Sequence, residues 1–434
     1  MDVFLKIFSG IINGAIAVFN YSWWIILPVF LFLIAWDLWM VYIRTKYVKS
    51  IERAIFEIKI PKEILKTPKA MEAVFNTMIG IYSFGLSSVE TYLAGKVERW
   101  VSFEIVGHAG GVRFYVQTPS EFKNLVESAI YAQYPAAEIN KVEDYVNSLP
   151  PVLTDKTYDL WGTELILVKE NYLPIKTYQF FEEIQDEKRL DPLAAIIETM
   201  SNLKNDEWIG IQVLISPTGE LNGNMWQKEG YDKIEEMAGR KTAKNGKDSE
   251  FMAWVRNVAM APAEYPVWPG EKKPEAPTLR FLHPAEQDMV KGIANKISKI
   301  GFETIVRFIY VDSAKSFTSA NVSATMGAFN QFRSNDMNAL KPDKRTVTLR
   351  NTWFAKLVPI YKKLFIFSRK RRLFESYRTR RFGKHKRVRP EKFSVLSTEE
   401  LATIYHFPAI MIESPNLIRL GAKKGGPPTE LPVE

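Results

Sequence analysis

The chain contains 434 residues, of which 46% are hydrophobic and 25% are charged. This composition is typical of a folded protein and too apolar for a disordered chain, and the length allows two or three domains. The absence of cysteine excludes disulfides, thiolate zinc sites, iron–sulfur clusters and a cysteine nucleophile, and four histidines leave little for a metal site, so we expect no cofactor. The formal net charge of +9 points to an anionic partner.

A membrane anchor is predicted within the N-terminal region, 1–49. Residues 22–43 carry a single charge, Asp37, and have tryptophan and tyrosine near both ends, as transmembrane helices do. About 20 such residues cross the roughly 30 Å hydrocarbon layer. The alternative is a cleavable signal peptide, whose apolar stretch is usually about 7–15 residues. The residues just after the span are rich in positive charge, which predicts a single-pass protein of the inner (cytoplasmic) cell membrane with its large C-terminal part in the cytoplasm: Arg44, Lys46, Lys49 and Arg53.

Ahead of the span, residues 3–19 repeat apolar side chains at helical spacing. This pattern predicts an amphipathic helix that lies in the membrane interface or packs on another helix. Gly10 and Gly14 form a small-xxx-small pair, which permits close helix approach and a homo-oligomer.

Residues 50–150 are predicted to form a first α+β domain. Alternating apolar residues indicate strands, and apolar residues at a spacing of three and four indicate helices. The order strand, helix, hairpin, helix, strand is that of a ferredoxin-like (split βαβ) sandwich. The predicted elements are a strand at 51–60, a helix from Thr67 and Pro68, a hairpin at 100–116, a helix from Ser120 to Pro135 and a strand at 137–142.

Residues 151–340 are predicted to repeat this arrangement as a second α+β domain. A strand at 160–168, a helix after Asp191 and a strand at 208–215 precede a helical and Pro-rich insertion at 226–280. A helix from His283 and a strand at 303–311 then match the helix and strand of 120–142, and a further helix covers 319–332. The fold class is therefore α+β, with a transmembrane helix followed by tandem ferredoxin-like sandwiches.

The last region, 341–434, contains a strongly basic segment and a C-terminal extension. Residues 362–389 hold 13 Lys or Arg against one acid, Glu375, with aromatic residues interleaved. Three interpretations stay open: nucleic acid bound through phosphates and stacked bases, anionic lipid headgroups, or a solvated helix whose aromatics pack on the body. The binding candidates are Lys362, Lys363, Arg369, Lys370, Arg371, Arg372, Arg378, Arg380, Arg381, Lys384, Lys386, Arg387 and Arg389.

Catalytic motifs are absent from the sequence. There is no GxxxxGK[ST] phosphate loop, no HExxH pair and no GxSxG elbow, so we expect no enzyme activity. An acidic cluster could hold a cation in a membrane-tethered hydrolase, but adjoining Lys188 and Arg189 favour a solvated helix face: Glu182, Glu183, Asp186 and Glu187. His108 is assigned to the hairpin turn and His406 to a loop, without an acid partner evident in sequence.

Three strings of the chain resemble the N-terminal, non-motor region of type IV secretion and conjugative-transfer ATPases in their membrane-anchored bacterial form. They are WVSFEIVGHAGGVRFYVQTPSEFKNLVESAIYAQYPAAEI (Trp100 to Ile139), FSVLSTEELATIYHFP (Phe393 to Pro408) and GAKKGGPPTELPVE (Gly421 to Glu434). In that family the last two segments precede the nucleotide-binding motor. The resemblance implies a membrane platform for a separately encoded motor ATPase or secretion subunits, and no catalytic residue is carried over.

The function predicted from the sequence is a non-catalytic, membrane-anchored component of a type IV secretion-like or DNA-transfer apparatus. The alternatives are a membrane-tethered protein that binds nucleic acid or anionic lipid, and a membrane-tethered hydrolase that uses the acidic cluster.

Overall fold

The computed structural model describes residues 2–61, 66–82, 86–150, 153, 157–182, 191–218, 220–239, 283–348, 359–383 and 393–408, with side chains excepted at 2–19, 22, 26, 182, 220–224 and 359–364. Several sequence predictions concern residues outside these ranges: the loop 240–248, the Pro-rich linker, the acidic cluster beyond Glu182, and the closing segment 421–434.

The N-terminal region forms one helix, α1 (Asp2–Ser50), of 49 residues. The sequence predicts an interfacial helix and a separate span, whereas α1 continues through Pro28 without a break. Among the described residues, the part from Trp23 to Ser50 is long and apolar enough to cross a membrane, with a mean hydropathy of 2.1. Only 6% of its apolar window is buried within the protein, whereas a core helix would be mostly buried. The structure is thus compatible with a single-pass anchor.

The first half of the body contains four strands and three helices. In chain order they are β1 (Arg53–Lys59), α2 (Pro68–Thr77), α3 (Ser88–Tyr92), β2 (Val101–His108), β3 (Gly111–Pro119), α4 (Lys123–Gln133) and β4 (Glu138–Lys141). Their order across the sheet is β4-β1-β3-β2, and all neighbours are antiparallel. The predicted hairpin is confirmed, because β2 and β3 pair across the turn at 109–110.

The second half has the same strand order. Its elements are β5 (Tyr158–Leu167), α5 (Gln179–Glu182), α6 (Ala194–Ser201), β6 (Trp208–Pro217), α7 (Glu220–Met237), α8 (Pro284–Ile297), β7 (Gly301–Ser313), α9 (Ala320–Phe329) and β8 (Leu340–Pro342). The order across the sheet is β8-β5-β7-β6, again antiparallel throughout. The predicted match of 283–311 to 120–142 is therefore wrong: β7 takes the third position, and the three-residue β8 takes the fourth.

The two halves share one sheet. The sequence predicts two sandwiches in separate domains, whereas β2 and β6 pair along their whole length, from Val101 opposite Ile215 to His108 opposite Trp208. Edge strands expose unpaired backbone groups, and this pairing satisfies them for both halves. The described residues thus form an α+β protein with one antiparallel sheet of nine strands.

The end of the described chain returns to the sheet. Helix α10 (Pro359–Arg378) lies across it, β9 (Ser394–Ser397) pairs with the start of β7, and α11 (Thr398–Ile404) follows with all seven residues buried. Five helices cover one face of the sheet with a large apolar core: α2, α4, α6, α9 and α11. The other face packs Leu373, Phe374 and Tyr377 of α10 against β5 and β7. Both faces are buried, which explains the nearly continuous apolar runs in the central strands.

Candidate functional site: the basic helix and the polar row beneath it

Six polar side chains form a single row across the face of the sheet that α10 covers. They come from six neighbouring strands, three in each half, and each one lies directly opposite the next; this polar row is Glu57, Tyr115, Glu104, Gln212, Arg307 and Glu164. Buried polar groups are costly unless they are hydrogen-bonded, so a row of this kind requires partners.

The end of α10 supplies the first partner, Arg380. Its Nε donates to Glu104 Oε1 at 2.8 Å and its Nη2 to Glu104 Oε2 at 3.2 Å. Two further hydrogen bonds, of 2.6 and 2.9 Å, reach the carboxylate of Asp144. Arg380 and Glu104 are both fully buried, so this is a buried, two-pronged ion pair.

The backbone of Arg380 also departs from the usual pattern. Its φ is 45°. The Arg381 N–H donates a hydrogen bond of 3.0 Å to the carbonyl of Ser376, which closes a loop of six residues. This is the Schellman ending of a helix, in which glycine is the favoured residue at the left-handed position. Arg380 therefore lies at a position where the left-handed backbone conformation alone would favour glycine.

The polar row in turn satisfies the carbonyl groups at the end of α10. Arg307 Nη1 donates to Ser376 O and Arg307 Nη2 to Arg381 O, both at 2.8 Å, while Gln212 Nε2 donates to Tyr377 O at 3.0 Å. The last carbonyls of a helix have no partner within the helix and carry partial negative charge, so the guanidinium is well placed there. Arg307 is itself neutralised by Glu164 at 2.7 Å.

Burial and charge shift the pKa values of this site. Burial opposes the charge on Arg380, but Glu104 and Asp144 outweigh it and hold the pKa of Arg380 well above its usual value. Burial, followed by the nearby Glu104 carboxylate, raises the pKa of Tyr145 well above its usual value, and the Tyr145 hydroxyl lies 2.5 Å from Glu104 Oε2. Burial and Glu104 likewise raise the pKa of Tyr377.

The predicted basic residues divide into bound and exposed groups. Arg369 donates to the carbonyls of Lys344 and Val347, and Lys370 pairs with Asp159. Arg380 is buried and cannot reach a phosphate or headgroup in this structure, so it leaves the set of binding candidates. The exposed candidates are Arg371, Arg372 and Arg381; Arg378 is half-buried over Phe374, Lys362 and Lys363 lie on α10 without described side chains, and Lys384, Lys386, Arg387 and Arg389 fall outside the described residues.

Three of the interleaved aromatics are engaged with the body and so are not free to stack on bases. Phe374 and Tyr377 are buried against the sheet, because a spacing of three places them on one helix face. Phe382 stacks on Trp100 and on Phe393, with ring centroids 5.8 and 5.2 Å apart. For these residues the structural interpretation of the segment is the correct one.

Phe382 belongs to a second cluster, at the base of α1. We call it the foot cluster: Val48, Val97, Phe382 and Phe393 pack against the buried side chains of Trp100, Leu214 and Ile305. Arg53 completes it, with its guanidinium 4.1 Å above the Trp100 ring. The end of the basic helix thus lies directly beside the end of the apolar helix.

At other positions that could carry chemistry, the polar side chains are already paired with neighbouring residues. An open pocket of about 560 Å³ is lined by Glu72, Tyr178 and Lys299 among others, and Lys299 bonds Glu72 at 2.7 Å and Glu399 at 2.5 Å. His406 lies 3.0 Å from Asp191, an acid partner that the sequence did not reveal. Within the described ranges, no group of three His, Cys, Asp or Glu could hold a metal ion.

Sequence reasoning missed the polar row. Its signal is a charged or amide residue between two apolar neighbours near the middle of a strand: Glu104 in β2, Gln212 in β6 and Arg307 in β7. Each of these residues is unremarkable alone, and only the register of the strands places them side by side.

The fold and these clusters define an α+β protein with one N-terminal helix suited to crossing a membrane and a basic helix clamped onto its sheet. Residues 67–419 match a family described as Domain of unknown function (DUF8128), which is more than three quarters of the chain. The chain therefore belongs to this family. No curated protein matches it.

Proposed function

We propose that this protein is a non-catalytic, membrane-anchored platform, part of a type IV secretion-like or DNA-transfer apparatus, on which a separate motor ATPase assembles. The observation that carries the proposal is the junction of α1 with the body. Only two residues separate Ser50 from β1, and Val48 of α1 packs against the buried residues of the foot cluster, Trp100, Leu214 and Ile305. The body is therefore held at the base of the apolar helix rather than on a flexible tether.

The orientation follows from charge. Four basic residues lie at the base of α1, Arg44, Lys46, Lys49 and Arg53, and basic residues close to a span favour the cytoplasmic side. In this proposal the sheet and α10 lie on the cytoplasmic side of the membrane.

The strand order supports the finer interpretation of the fold as tandem split βαβ units. Each half has the order fourth, first, third, second, and each has a helix between its first and second strands. In the proposal the insertion after β6 interrupts the second unit, and the β2–β6 pairing joins the two units into one platform.

Support for the apparatus comes from the sequence resemblance of two segments that the structure describes. Trp100–Ile139 forms the hairpin, α4 and β4, and Phe393–Pro408 forms β9 and the buried α11. The 434 residues contain no phosphate loop, so the proposal assigns nucleotide hydrolysis to a partner chain.

Four measurements on the full chain test the proposal. The protein should stay in the membrane fraction after an alkaline carbonate wash, keep its N-terminus by mass spectrometry, and resist protease in intact cells. Purification in mild detergent should recover a translocation ATPase or secretion subunits. Loss of the first 40 or so residues would establish a signal peptide, and recovery without any such partner would contradict the apparatus.

A second candidate function, binding of anionic lipid, is favoured by the foot cluster. Phe382 and Phe393 stack on each other and, like Val48, belong to the foot cluster; the ten residues between them in sequence include Lys384, Lys386, Arg387 and Arg389. Both attachment points of this basic stretch thus lie at the base of α1, where headgroups would be. DNA affinity should fall when the chain is moved from neutral to anionic nanodiscs; equal affinity in both contradicts a lipid role.

A further inference from the structure

We propose that α3 and the turn after it form a second membrane contact, inserted into the interface of the same bilayer that α1 crosses. This inference rests on the proposed anchor and adds a second site of lipid contact to it. Its occupant is lipid at the boundary between headgroups and acyl chains.

The residues of this contact are exposed and apolar. Val89, Tyr92 and Leu93 are 63%, 49% and 66% exposed, which places Leu93 and Val89 among the most exposed large apolar side chains described outside α1. They are three and four residues apart, so they lie on one face. Large apolar side chains grouped in this way mark an interaction surface rather than ordinary surface variation.

Contacts with α1 fix the depth of this surface. The ring of Tyr92 lies 6.3 Å from that of Trp36, within the apolar part of α1. Farther along, Gly95 lies against Ile43: a Cβ there would stand 2.7 Å from the Ile43 carbonyl carbon. At 1.5 Å per residue, Trp36 is about 21 Å from the end of α1 at Ser50.

The segment is also rigidly built. Ser87 and Glu90 form a reciprocal capping box at the start of α3. Glu90 accepts a hydrogen bond of 2.7 Å from Lys96 Nζ, which ties the helix to the chain that follows it. The charged groups thus satisfy one another, while Val89 and Leu93 stay exposed. An apolar face opposite a charged one is the arrangement of interfacial helices.

The position of the α3 surface along α1 indicates that lipid contacts it. In addition to Val89 and Leu93, the side chains of Leu38, Trp39 and Tyr42 on α1 are exposed, at 66%, 48% and 60%. The two surfaces are joined through the contact of Tyr92 with Trp36. If α1 crosses the bilayer, the medium around this level of α1 is lipid, and the same medium surrounds α3.

Site-specific labelling can test this directly, because the native chain has no cysteine. Single cysteines at Leu93→Cys and Leu38→Cys report on α3 and α1, and Ala109→Cys is the control. Ala109 is exposed in the turn at the far end of β2, about 25 Å from the start of that strand. Each full-length variant is labelled with an environment-sensitive fluorophore and reconstituted into vesicles of phosphatidylcholine and phosphatidylglycerol.

The label at Leu93 should be blue-shifted, several-fold less quenched by iodide than the label at Ala109, and quenched by spin-labelled lipid. Iodide quenching at Leu93 equal to that at Ala109, with Leu38 protected, overturns the inference and leaves the anchor intact. Protection of Leu93 from iodide without quenching by spin-labelled lipid means a protein contact and also overturns it. Exposure of both Leu38 and Leu93 overturns the proposed anchor itself.

Discussion

Replacing Arg380 with glutamine should destabilise the body strongly. The substitution removes the charge that compensates Glu104, which is fully buried, and two hydrogen bonds to Asp144. Breaking a buried ion pair by removing one partner costs about 3–5 kcal/mol, because the remaining charge stays buried. Urea unfolding of the full chain in detergent, followed by tryptophan fluorescence, measures the change, with an unchanged slope against urea.

Two further variants separate the contributions to that loss. Arg380→Gly also removes the ion pair but suits the left-handed backbone, so it should cost about 1 kcal/mol less than Arg380→Gln. Arg380→Gln combined with Glu104→Gln should recover about 1–3 kcal/mol of the sum of the single losses. The exposed Arg371→Gln is the matched control and should change stability by less than about 0.5 kcal/mol. Additive single losses, or an Arg380→Gln loss below about 1 kcal/mol, would refute the coupling of α10 to the polar row.

Three other outcomes are expected. Gly210→Ala places a methyl group 2.0 Å from a tyrosine hydroxyl of α10 and should lower the urea midpoint, whereas Gly327→Ala, with open space around it, should raise it. Burial and a neighbouring carboxylate raise the pKa of Glu303 to about 7 from an ordinary 4.5. The folded state therefore binds the proton more tightly than the unfolded state, and the protein loses stability as pH rises from 4.5 to 7. Glu303→Gln should accordingly raise the urea midpoint at pH 8 but not at pH 4.5. If the exposed basic side chains bind DNA, Arg371→Gln with Arg372→Gln should reduce the slope of log affinity against log salt by about 0.9 per lost phosphate contact, without changing stability; an unchanged slope removes the nucleic-acid hypothesis.

Local patterns predicted most elements of the body but not their assembly. The hairpin of β2 and β3, the helix after Thr67 and strand β6 follow from alternation, turn residues and helical spacing, all of which act over short distances. The pairing of β2 with β6 joins residues more than 100 positions apart, and nothing in either strand specifies it. The fourth strand of the second half, β8, has three residues, too few to show a period.

The candidate site shows the same division. Composition identified the basic segment, and helical spacing would have placed Leu373, Phe374 and Tyr377 on one buried face. Neither composition nor helical spacing could reveal that Arg380 is buried, because its burial depends on Glu104, which lies 276 positions earlier in the chain. A count of positive charges treats each arginine as available, whereas the structure engages Arg369, Lys370 and Arg380 with the body.

The end of α10 couples three parts of the molecule. Arg380 binds Glu104 and Asp144 of the first half, Arg307 of the second half binds the carbonyls that close the helix, and Phe382 packs in the foot cluster beside α1. Separating the halves would break the hydrogen bonds that join the buried Glu104 and Gln212 to each other and to the end of α10, and lifting the body from α1 would expose the apolar side chains of the foot cluster. The joint between β2 and β6 is bridged in the same place, because Gln212 of β6 donates hydrogen bonds both to Glu104 of β2 and to the Tyr377 carbonyl of α10. The end of α10 therefore holds the two halves together beside the base of the apolar helix, which is the rigid connection that the proposed platform role requires.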